Sequence, residues 1–184
     1  SGQIGDWCEA HKVFHIGHII EDDNSHGRLG CSTGHYFRSL SDMRMAGIDV
    51  VLQQVMPEMD QEEHQWVASS RDGEFFHYGL GKMGSSLAHI DPKKQGDSMC
   101  EIFGAFGWQE GTGLMKWLAD HMLSRGINHF VPHAFSMKPY PDPDCPPHFY
   151  AHGNQMQYSH FGHVIRYMNR AAHLLSGGKY PAKT

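Results

Sequence analysis

An α/β fold built on a parallel sheet is what this sequence predicts, and three observations carry the prediction. Apolar, β-rich runs alternate four times with runs of helical periodicity. The helical runs stop at Gly47, at Asp91-Pro92, at Gly126 and at Gly177-Gly178, all ordinary helix terminators. The conspicuous polar residues gather at the carboxyl ends of the apolar runs, where parallel-sheet enzymes present their chemistry. Four βα units with right-handed crossovers follow. Units of this length, with the long loops after strands, fit half of a (β/α)8 TIM-type barrel; a small open parallel sheet is the alternative.

In chain order, residues 1–12 are polar and predict no element. Val13 to Ile20 reads as the first strand and ends in Glu21-Asp22-Asp23. Residues 24–34 hold three glycines with Ser and Asn and read as a loop. Tyr36, Phe37, Leu40, Met43 and Ala46 recur at helical spacing, so a helix is expected over 35–46, stopped by Gly47. Ile48 to Met56 is the second strand, ended by Pro57, and 58–73 is a polar linking segment. Leu80, Met83 and Leu87 share one face of a helix over 75–90, where Gly79, Gly81 and Gly84 indicate close packing. The third strand surrounds Glu101. Leu114, Trp117, Leu118, His121 and Met122 mark the clearest helix, 113–125. His129 to Ser136 is the fourth strand. Pro139, Pro141, Pro143, Pro146 and Pro147 make 137–153 an irregular loop, long enough to be functional. A last helix runs over 158–175 with Phe161, Ile165, Met168, Ala172 and Leu175 inward.

The totals narrow the function. At 184 residues, 40% hydrophobic and 19% charged, the chain reads as one α/β domain, 1–184, with a core, and the missing strands lead to the expectation that it is part of a larger glycoside hydrolase barrel. The net charge of −5 with no Lys/Arg stripe argues against nucleic acid. No apolar run is long enough for a membrane span and no secretory signal opens the sequence, so the cytoplasm is the expected location. Cys8, Cys31, Cys100 and Cys145 are scattered and read as reduced thiols rather than a disulfide framework or zinc site. Sixteen histidines are the anomaly.

Two carboxylates below an aromatic rim are the equipment for glycosidic bond cleavage: one acid protonates the leaving oxygen, the other activates water or attacks. Glu101 and Glu21 are the candidate catalytic pair, against the plainer readings of a core acid and a solvated one. Substrate contacts are expected from His133, His18, Gln54 and Asp22. Trp108 and Phe103, with Phe106, Tyr140 and Tyr150, offer flat apolar surface for sugar faces, or packing alone. No cofactor is required by this chemistry, although the oxygens of Glu21, Asp22 and Asp23 suit Ca²⁺. His15 and His18 are three apart and point to opposite faces of a strand, and His148 and His152 lie in a Pro-rich loop. A histidine-bound metal is therefore the lesser expectation. Two alternatives stand beside the glycosidase: a metal-dependent hydrolase using the histidine-rich strand ends, and a sugar-binding domain without turnover.

The run Cys100-Glu101-Ile-Phe-Gly-Ala-Phe-Gly-Trp108, then Met115 to Asp120, Arg125-Gly-Ile-Asn128, Phe130-Val-Pro-His133-Ala-Phe-Ser136 and Leu174-Leu-Ser-Gly-Gly178, resembles the later part of the catalytic barrel in large bacterial glycoside hydrolases. The α-L-rhamnosidase type, glycoside hydrolase family 106, is the nearest match. The resemblance spans about Val13 to Gly178. It implies the second half of a (β/α)8 barrel, a catalytic carboxylate at Glu101 that handles water, and a sugar-pocket role for His133. It also implies that the second carboxylate can lie upstream of Val13, with the other half-barrel, or a second copy, as partner. Gly17 to Asp22 departs from the rhamnosidase pattern, which leaves the sugar open.

Overall fold

The computed structural model describes residues 2–19, 34–61, 63–66, 69–149 and 155–178. Their helices are α1 (Gly2–Ala10), α2 (Tyr36–Ser39), α3 (Gly81–Ile90), α4 (Thr112–Leu123) and α5 (Tyr158–Leu175). The strands are β1 (Ile16–His18), β2 (Met45–Val51), β3 (Glu63–Trp66), β4 (Ser69–Asp72), β5 (Ser98–Gly104) and β6 (His129–Pro132). Four strands form one parallel sheet in the order β1-β2-β5-β6, which is also their order in the chain. The expected four βα units are therefore present, and their winding never reverses as it would in a doubly wound sheet. Among the described residues, β1 and β6 each keep one unpaired edge.

Helices α2 to α5 share one core on one side of the sheet. Ala46, Ile48, Val50, Cys100 and Ile102 are wholly buried, and they share a core with Leu80 and Leu87 of the α3 region, Met115, Leu118 and Met122 of α4, and Phe161 and Met168 of α5. Gly84 brings α3 close to the sheet: a Cβ there would lie 3.2 Å from Ile127 and 3.5 Å from Ile48. Side chains alternate along a strand, so the other face carries Ile16, His18, Asp49, Glu101 and Val131, by the register Asp49–Glu101–Val131. Ile16 and Val131 there are 45% and 42% exposed. A groove of about 460 Å³ runs along β6 between Ile16, Met45, Met99 and Val131 and the α5 residues Ile165 and Met168. No helix among the described residues is long and apolar enough to cross a membrane.

Several expectations are corrected. The 35–46 periodicity yields only the four-residue α2, because Met45, Ala46 and Gly47 are drawn into β2. Gly47 is no helix stop: a Cβ there would lie 2.6 Å from the Met99 carbonyl oxygen, so glycine is what lets β2 and β5 close up. Residues 2–10 are helical although their pattern is weak. The polar linker contains the antiparallel hairpin β3–β4. The fourth strand stops at Pro132, and the helix over 75–90 begins with a π-helical turn, Phe75–Leu80. The last helix has the expected bounds.

The amino-terminal end of the sheet is stapled by polar side chains. Lys94 is wholly buried, and its ammonium donates to the Ser41 and Met43 carbonyls at 3.3 and 2.9 Å and to Asp91 at 2.8 Å. Arg44 reaches the Lys94 carbonyl and the Asp97 carboxylate. Asn128 accepts from the Ser98 N–H and donates to the Gly96 carbonyl, which ties β6 to the start of β5. Truncating Lys94 would leave three acceptors without their shared cation. Lys94→Met is expected to lower unfolding stability by about 3 kcal/mol in urea titration, and a loss under about 1 kcal/mol would remove Lys94 as a staple.

Candidate functional site

The opposite end is differently furnished. His18 is the last residue of β1, Asp49 lies in the second half of β2, and Glu101 is paired directly with Asp49 across β2–β5. All three lie on the sheet face opposite α3 and α4, where Met45 and Met99 of the central strands are also buried. One ligand atom from each lies within 4.8 Å of the other two. Asp49 is buried, whereas the His18 and Glu101 side chains keep 20% and 29% of their surface.

His18 faces an acceptor at each ring nitrogen: Nδ1 is 2.6 Å from the Ile19 carbonyl oxygen and Nε2 is 2.8 Å from Glu101 Oε2. A neutral imidazole has one N–H and would turn a lone pair toward one of these oxygens. The two acceptors favour the imidazolium, which donates at both nitrogens. The Glu101 hydrogen bond is the main cause that pushes its pKa up to about 9, against the opposing effect of burial. The same bond holds the Glu101 carboxyl below its ordinary range.

Above this cluster sits His133, just past β6. Its ring lies 3.4 Å from where a Cβ would stand on Gly104, so the glycine makes room for it. Burial lowers the His133 pKa and favours the neutral ring. Its ring centre is 5.5 Å from that of His148, which lies 6.1 Å from the Trp108 ring; Tyr140 meets Trp108 edge-on at 5.5 Å. The Pro-rich loop carrying His148 and Tyr140 is anchored by Asp142, which accepts from the Ser136 hydroxyl at 2.7 Å and the Asp144 N–H at 3.1 Å. His148 itself donates to the Asp144 carbonyl.

The structure thus brings Glu101, His18, His133 and Trp108 to one end of the sheet. Phe103 does not join them. The register slips between Val50 and Val51, Val51 pairs with Gly104, and Phe103 takes a φ of +81° and turns wholly into the core. It offers no surface to a sugar. Phe106 is likewise buried. Gln54 is buried too, with its Oε1 3.4 Å from the Val51 N–H, and serves the turn that ends β2. Glu21, Asp22 and Asp23, with the Ca²⁺ reading attached to them, lie outside the described residues, as do Tyr150 and His152.

Two acids were not anticipated. Asp49 had a signal, a charge set inside the apolar run Ile48-Asp49-Val50-Val51. Glu110, in the turn before α4, is 1% exposed, and neither carboxyl oxygen has a hydrogen-bond partner among the described residues; burial pushes its pKa up to about 9. Nothing in Gln109-Glu110-Gly111 marks it in advance.

Fold and site together define an α/β parallel-sheet protein with a part-buried histidine–carboxylate cluster on the face of its strands opposite α3 and α4. Compared with known proteins, the chain matches no family model, no curated protein and no solved structure.

The His18–Glu101 pair fixes a pH dependence. A raised histidine pKa contributes stability that is complete below 6.5 and is lost as pH rises toward about 9. A lowered carboxyl pKa contributes stability that is complete above 4.5 and is lost on acidification below it. In chelator-treated protein, the stability difference between wild type and His18→Gln should therefore be greatest between pH 4.5 and 6.5 and shrink on both sides. Urea titrations across pH would measure it, and a difference that grew between pH 7 and 9 would contradict the pairing.

Proposed function

We propose that the chain carries one half of a (β/α)8 glycoside hydrolase active site, with Glu101 as its ionised catalytic carboxylate. The observation that carries the reading is the position of Glu101: part-exposed on the face of a singly wound parallel sheet opposite α3 and α4, kept charged by His18, below a rim containing Trp108, Tyr140 and His133. The motif resemblance around Cys100 to Trp108 supports the same assignment. Trp108 and Tyr140 offer ring faces and edges to the apolar side of a sugar, and the neutral His133 ring exchanges hydrogen bonds with its hydroxyls. Glu21 remains the proposed acid partner if the other half-barrel does not supply one. The partner half, from further chain or a second copy, would pair with the free edges of β1 and β6 and fill the apolar groove beside α5.

The test is turnover of a panel of aryl glycosides, α-L-rhamnoside included, by the native protein. Glu101→Gln is expected to lower kcat at least about a hundredfold while changing KM little. Trp108→Ala should instead act mainly on KM. Wild-type turnover in Glu101→Gln would end the assignment. Sedimentation checks the architecture: activity from a monomer of these 184 residues alone would overturn the half-barrel.

A further inference from the structure

We propose that His18 Nε2, Asp49 and Glu101 form a binding site for one divalent transition-metal ion. Ligand bonds to such ions are about 2.0–2.2 Å, so donors on opposite sides of one ion stand about 4.0–4.4 Å apart. Three donor atoms within 4.8 Å of one another need only small side-chain rotations to close on an ion. They come from three neighbouring strands whose register is fixed, His18 opposite Gly47 and Asp49 opposite Glu101. A site built on strands holds its geometry better than one built on loops.

The second line of argument is the orientation of His18. Its Nδ1–H is held by the Ile19 carbonyl at 2.6 Å, the outer hydrogen bond that metal-ligating histidines use to fix tautomer and ring plane. Nε2 is then the atom turned toward the carboxylates, and it stands 2.8 Å from Glu101 Oε2. Something positive has to lie between a ring nitrogen and an oxygen anion at that distance. A proton or a metal ion meets that requirement.

The donor set selects the ion. An imidazole nitrogen is a poor ligand for Mg²⁺ or Ca²⁺, while one nitrogen with carboxylate oxygens suits Mn²⁺, Fe²⁺, Co²⁺ or Zn²⁺. Three protein ligands leave further positions open for water or for a ligand's hydroxyl groups. That vicinal sugar hydroxyls take those positions rests on the glycoside hydrolase reading; the metal site itself does not.

The experiment is calorimetric titration of chelator-stripped native protein with Mn²⁺ and with Zn²⁺, with Co²⁺ absorption as a report on nitrogen and oxygen ligation. One ion per chain is expected, with affinity reduced at least about a hundredfold in His18→Gln and in Asp49→Asn. Asp49 is buried, so circular dichroism of each variant is compared with wild type, and Glu101→Gln provides a third, part-exposed ligand removal. Absence of uptake would overturn the proposal. So would uptake that folded His18→Gln and Glu101→Gln retain at full affinity, which would place the ion on others of the sixteen histidines. Uptake without glycoside turnover upholds the metal site and removes the glycosidase; turnover by metal-free protein that takes up no ion does the reverse.

Discussion

The pairing of β2 with β5 governs what the rest of the molecule can present. Both strands are interior to the sheet, and their helix-side residues Ile48, Val50, Cys100 and Ile102 are wholly buried. Once that face is committed to the core, alternation leaves Asp49 and Glu101 side by side on the other. The same pairing needs Gly47, because the Met99 carbonyl occupies the place of a side chain. After the Val50–Ile102 pair the register slips, and the slip has two effects at once. Phe103 is turned into the core, and Gly104 is left under the His133 ring. A one-residue change in this register would exchange the acidic pair for apolar side chains and dismantle both faces together.

The two ends of the sheet divide the labour. At the amino-terminal end, Lys94, Arg44 and Asn128 spend their polar atoms on backbone carbonyls, N–H groups and two surface acids. These networks leave few donors for a ligand and explain the buried charges as staples. Toward the carboxyl end, polar side chains meet one another instead: His18 meets Glu101, His133 approaches His148, and Trp108 meets Tyr140. Arg125, just past α4, is half-buried and donates to the His77 carbonyl, so it also belongs to the framework.

Legibility in the sequence followed the strength of local pattern. The four strands, α4 and α5 and the helix over 75–90 carry long periodic runs, and their order alone implies a parallel sheet. The 35–46 run misled because Ala46 and Gly47 suit a helix end as well as a close strand contact, and only the position of Met99 separates the two. Glu101, His18, His133 and Trp108 stand out in the sequence as polar or aromatic residues toward the carboxyl ends of apolar runs. His18 ends β1 and His133 and Trp108 follow β6 and β5, while Glu101 is the fourth of the seven residues of β5. Phe103 was misread because a bulge breaks the alternation that placed it on the face of Glu101. Asp49 was passed over although an acid inside an apolar strand is itself a signal. Its pairing with Glu101 is a fact of register, which no linear pattern contains. Glu110 owes its character to packing alone.

The environment of Glu101 constrains how it could work under the proposed reading. A general base gains from a pKa near the working pH, which apolar burial supplies. Glu101 has the opposite setting: the His18 hydrogen bond outweighs burial and keeps its carboxyl low. That weakens it as a proton acceptor and suits it to remain an anion beside a developing positive charge, or to attack as a nucleophile. The acid of the pair must then be a carboxyl kept neutral. Among the described acids, Glu110 has its pKa raised to about 9, but it is 1% exposed and so has no access to a substrate. Asp49 stands beside Glu101 on the same face of the sheet, not opposite it across a substrate. The division of roles that glycoside cleavage requires therefore points beyond the described strands, to Glu21 or to the half of the barrel that would close against β1 and β6.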